Sequence, residues 1–76
     1  MNKARRKMID EVKEKLDEIR SMIETVRDEE QEAFDNMPEG LQDSERGEAM
    51  SDAIDALDSA LDSCDEVEEQ LNQAQE

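Results

Sequence analysis

Ile9, Val12, Leu16, Ile19, Ile23 and Val26 are separated by steps of three and four residues in strict alternation. That spacing lays one apolar seam along an α-helix and demands a second helix to cover it. A strand would repeat every two residues, so the pattern excludes one here. In a heptad written a to g, Ile9, Leu16 and Ile23 take a, and Val12, Ile19 and Val26 take d. Met8 and Met22 widen the seam at g. Neither Pro nor Gly interrupts residues 1–35, so one helix runs through them, with Asn2 as its cap.

The pattern returns with Met50, Ile54, Leu57, Leu61, Cys64 and Leu71. Here Ile54 and Leu61 are a positions, and Met50, Leu57, Cys64 and Leu71 are d positions. The next a is Glu68, where the seam weakens. Ala53, Ala60, Val67 and Ala74 form a flanking g column of small residues. Asp43 or Ser44 is the expected cap of this helix.

The seams break once, at residues 36–43, which hold Pro38 and Gly40. A residue before Pro avoids the helical region, and Gly40 can supply a positive φ. The expected fold is all-α: one antiparallel two-helix hairpin over 1–76, with helices at about 2–35 and 44–73. Each helix would be about 45 Å long at 1.5 Å per residue. Arg5, Arg6 and Lys7 would then lie near Asp65, Glu66, Glu68 and Glu69. A two-helix hairpin leaves much of each seam uncovered. Self-association into a helical bundle through the a, d and g columns is therefore expected, because helices draw most of their stability from packing.

The stretch around the break, DEEQEAFDNMPEGLQDSERGEAM, is the one irregular part of the chain. It holds the only aromatic residue, Phe34, and both glycines. Phe34, Met37 and Leu41 are expected to plug the end of the hairpin. Gly47 is odd in the first turn of a helix, where it costs up to about 1 kcal/mol against Ala. Close approach by Phe34 or by another chain would explain it. As a calcium loop starting at Asp35, the stretch fails. Gly40 fits the sixth position, but Met37 and Arg46 occupy positions that need oxygen ligands.

Charge is the second strong signal. The chain carries a formal net charge of −15. Residues 1–27 hold 8 bases and 6 acids, whereas residues 28–76 hold Arg46 alone against 18 acids. Nucleic-acid affinity comes from cations that displace counterions, so direct nucleic-acid binding is not expected. The second helix instead carries Glu48, Asp52, Asp55, Asp58, Asp62, Asp65, Glu66 and Glu69 at spacings near three and four. Such neighbours sit about 5–6 Å apart on a helix, close to the spacing of phosphates along a strand. This acidic face is the leading candidate for a site that meets a protein with a basic surface. Its plain alternative is the solvated exterior of an acidic bundle. Lys3, Arg5, Arg6 and Lys7, with Arg46, form the alternative candidate, an anion or nucleotide site completed across an oligomer.

Other chemistry finds no residues. There is no His, Tyr or Trp, and no glycine-rich phosphate loop. Cys64 sits on an apolar d position without a base, and a hairpin offers no cleft in which carboxylates could be tuned. Neither an enzyme, a metal site nor a cofactor is expected. A lone cysteine cannot form an intramolecular disulfide, which points to a cytoplasmic setting. No apolar run approaches the roughly 20 residues of a membrane span, and no apolar core follows the bases of MNKARRKMIDEV, as a secretion signal would require.

The stretch quoted above, followed by SDAIDALDSALDSCDEVEEQL, resembles small acidic helical proteins of phages and prophages of Gram-positive bacteria. The resemblance covers nearly the whole chain and implies action in an infected bacterial cytoplasm. Such proteins include inhibitors of host defence, some of which resemble DNA. The leading reading is a non-enzymatic protein that binds and blocks a host nucleic-acid-handling or defence factor. An oligomeric sponge for an anionic nucleotide signal and a structural helical module are the alternatives.

Overall fold

The computed structural model describes all 76 residues. Helix α1 spans Lys3–Asp35, a one-turn helix α2 spans Glu39–Gln42, and α3 spans Glu45–Ala74. The chain is all-α, and α1 and α3 pack side by side as an extended hairpin measuring 58 × 15 × 12 Å. The expected helix starts are confirmed at the level of the caps. Asn2 Oδ1 accepts from the Arg5 N–H at 2.8 Å, and Ser44 Oγ accepts from the Gly47 N–H at 3.3 Å. Each supplies a partner that the first turn of a helix lacks.

The register is fixed by cross-helix contacts. Arg20 Nε donates to Asp65 Oδ1 at 2.9 Å, and Arg27 Nε donates to Asp58 Oδ1 at 2.8 Å. Seven residues forward on α1 correspond to seven residues back on α3, as antiparallel heptads require. At the open end, Gln75 Nε2 donates to the Arg6 carbonyl at 3.1 Å and to Asp10 Oδ1 at 2.6 Å. Lys13 Nζ donates to Gln75 Oε1 at 3.4 Å. This register corrects the expected neighbours of Arg5, Arg6 and Lys7. They lie beside the last turn of α3, past the Asp65–Glu69 segment, and Asp65 belongs to Arg20.

The packed faces also differ from a symmetric a/d seam. On α3 the a and d residues do face inward: Ile54 and Cys64 are buried, and Leu57, Leu61 and Leu71 are half-buried. On α1 the inward face is a and e. Ile9, Leu16 and Ile23 are half-buried together with Lys13, Arg20, Arg27 and Phe34, while Val12, Ile19 and Val26 at d are exposed. A hairpin gives α1 only one neighbour. Helix α1 is turned so that its e column, with Arg20 and Arg27, faces α3, and its d column turns away.

The corner is more ordered than a bare turn. Pro38 opens α2, with its carbonyl accepting from the Leu41 N–H at 2.8 Å and the Gln42 N–H at 3.2 Å. Gly40 does not have a positive φ; no residue does. The α2 turn reverses the chain with ordinary right-handed geometry. Phe34 and Met37 are half-buried, but Leu41 is 52 % exposed and forms no part of the expected plug. Gln42 holds the corner instead: its Nε2 donates to the Phe34 carbonyl at 3.1 Å and to the Met37 carbonyl at 3.3 Å. The Phe34 carbonyl also accepts from the Met37 N–H at 3.1 Å, so Gln42 ties the last turn of α1 to the residues that follow its cap. Gln42→Ala should therefore lower stability by about 1–2 kcal/mol, measured as a reduced urea midpoint with an unchanged slope.

Gly47 is buried against the corner's own backbone. A Cβ there would lie 2.7 Å from the Leu41 carbonyl oxygen and closer still to that of Gln42. The close approach within the chain comes from the backbone of α2 in place of the Phe34 side chain.

Candidate interaction surfaces

The heptad frame of α3 sorts its charges by face. Glu48, Asp55, Asp62 and Glu69 share the b column, at an interval of about 10.5 Å along the axis. Asp52 and Glu66 lie next to them at f, and Asp58 and Asp65 at e. The eight predicted acidic residues thus form one continuous side of α3. Six of them, Glu48, Asp52, Asp55, Asp62, Glu66 and Glu69, are exposed and make no ion pair or side-chain hydrogen bond within the chain. Asp58 and Asp65 differ, because they are committed to Arg27 and Arg20. They hold the helices in register and are neutralised in doing so. The hydrogen bond that Arg20 donates to Asp65 holds its guanidinium pKa above the ordinary value, and the one that Arg27 donates to Asp58 does the same. Arg20 also meets Glu24 at 3.2 Å. These two arginines were absent from the sequence candidates. Their signal was their e-column placement, which in an antiparallel pair faces the other helix's e column.

The basic candidates do not come together. Lys3, Arg5, Arg6 and Lys7 lie in the first turns of α1, while Arg46 opens α3 at the corner. Most of the 58 Å length of the hairpin separates them. All five are exposed, and none is paired with a carboxylate. The corner candidates Phe34, Met37 and Gly47 serve the turn, leaving Leu41 as the one exposed apolar residue there.

No cavity opens anywhere on the hairpin, and no three acidic or thiol side chains converge on a point that would hold a metal ion. Cys64 is reduced and buried in the seam. No helix is long and apolar enough to cross a membrane. Compared with protein-family models, with curated proteins and with solved structures, the chain matches none, so its function is read from these surfaces alone.

Proposed function

We propose that this chain is a non-enzymatic, phage-type protein that binds a host protein with a basic surface and blocks it. The target class is a nucleic-acid-handling or defence factor, and the contact is the outer acidic side of α3 standing in for a nucleic-acid strand. One observation carries the reading: six carboxylates lie along one exposed side of a straight helix, with no cation of the chain near enough to pair with them. A structural exterior needs solubility, which scattered charge supplies. An unneutralised one-sided column instead costs self-repulsion and gains only when a cationic surface meets it.

The nucleotide-sponge alternative draws on the five unpaired bases. Within one chain they are split between the two ends of the hairpin, so that reading requires a site built from several copies.

The test is charge reversal. Asp52→Lys, Asp55→Lys and Asp62→Lys together should abolish inhibition of the target while leaving the helical signal intact, since all three point into solvent. Binding by the unaltered chain should weaken steeply with salt and compete with DNA or RNA. Retained inhibition by the triple variant, with loss on Arg5→Glu or Arg46→Glu, would transfer the function to the bases.

A further inference from the structure

The two flanks of the hairpin are unlike. On one, Arg20 and Arg27 close onto Asp65 and Asp58. On the other, Met8, Val12, Ile19, Met22 and Val26 stand 66, 45, 50, 68 and 53 % exposed. Beside them run the g and c columns of α3. From Ala49 to Ala74 these columns hold only Ala, Ser, Val and Gln, on a helix with ten acidic residues. Every carboxylate of α3 is kept off this flank.

We propose that a second copy of this chain covers the flank, in an antiparallel two-fold dimer that completes a four-helix bundle. The inference stands independently of the acidic-face reading. Area is the first support. The chain exposes 5788 Å², against about 4,700 Å² for a compact monomer of its mass. The surplus of about 1,000 Å² compares with the roughly 800 Å² that each partner buries in a standard interface. Shape agrees: the radius of gyration is 17.3 Å, where a compact chain of this length would have about 11 Å.

Charge selects a second copy as occupant and sets its direction. Two strongly acidic α3 helices can approach only through a side on which α3 carries no carboxylate, and on this flank α3 carries none, the one acid of the flanking g column of α1 being Glu29 near its far end. Lengthwise, Lys3, Arg5, Arg6 and Lys7 begin α1, whereas Asp28–Asp35 at its far end holds five acids and no base. Parallel packing would set like ends together. Antiparallel packing puts each basic start against the acidic end of the other copy's α1, with the two-fold near Ile19, the middle residue of α1. The contact is isologous and closes at two copies.

Sedimentation equilibrium of the full chain should give twice the 8.7 kDa of one chain. Met22→Glu, which alters an exposed position, should weaken association roughly a hundredfold by placing a charge in the interface. Orientation is read by cross-linking in a Cys64→Ala background with a short bismaleimide. Ile19→Cys should link copy to copy. Met8→Cys should not, because the two residues would lie about 33 Å apart along the bundle. A monomer at every concentration up to the millimolar range overturns the dimer. A dimer unchanged by Met22→Glu overturns the choice of flank. Cross-linking through Met8→Cys and not Ile19→Cys overturns the antiparallel sense. A monomeric chain that holds a different protein on this flank overturns the second copy as its occupant.

Discussion

Ile54→Asp should unfold the hairpin, while Ile19→Asp should leave it folded. Both replace isoleucine by aspartate at a position of an apolar heptad seam. Ile54 is 6 % exposed and faces α1, whereas Ile19 is 50 % exposed on the open flank. Losing the buried isoleucine costs about 2–3 kcal/mol, and an unpaired buried carboxylate adds roughly 3–5 kcal/mol. A domain this small seldom has more than about 3–5 kcal/mol to lose. Circular dichroism of Ile54→Asp should show most of the helical signal gone at room temperature. For Ile19→Asp the carboxylate remains in water, and the helical signal should persist while the sedimentation mass falls to that of one chain. Equal unfolding by both would mean that the helices pack through a symmetric a/d seam, against the rotation of α1 described above.

Gly47→Ala should destabilise the protein, although the same change in an ordinary helix stabilises it by up to about 1 kcal/mol. The reversal comes from space. The new Cβ would sit 2.5 Å from the Gln42 carbonyl carbon and 2.7 Å from the Leu41 carbonyl oxygen. Both are backbone atoms and cannot swing aside as a side chain would. Relief requires α2 to move off the start of α3, which also strains the Ser44 cap and the Gln42 bonds to Phe34 and Met37. Overpacking of this kind costs about 1–3 kcal/mol, more than the propensity gain. The thermal midpoint should drop by several degrees. A rise would show that α2 yields readily and that the glycine serves no packing purpose.

The residues that encode these outcomes were legible to different degrees. Heptad spacing identifies both long helices, because a periodicity of apolar residues is a local property of the chain, and residue type offers Asn2 and Asp43 or Ser44 as their caps. The break at 36–43 is equally plain, since Pro38 cannot continue α1. The short α2 was not legible: it is four residues long, below any periodicity, and it replaces the positive φ that Gly40 seemed suited to provide. Gly47 announced itself as anomalous, but its neighbour could not be named, because Leu41 and Gln42 reach it only after the corner folds. Gln42 and Gln75 carried no signal at all. A glutamine in a polar sequence gains its role only when the fold brings acceptors of another segment within its reach.

For the acidic candidate, the carboxylate column was written in the sequence, and its exposure follows from lying off the seam. Which carboxylates remain unpaired was not. Asp58 and Asp65 are indistinguishable from Asp55 and Asp62 along the chain, and only the antiparallel register sets the first pair against Arg27 and Arg20. What the sequence determined by itself is therefore the helices, their ends, the site of reversal and the separation of charge between the halves. These are all consequences of spacing and composition within single segments. Tertiary structure alone decided the rotation of α1, the ion-paired flank, the open apolar flank and the seat of Gly47. Each depends on how one helix is turned about its axis against the other, and a heptad pattern fixes that angle only when every face has a neighbour.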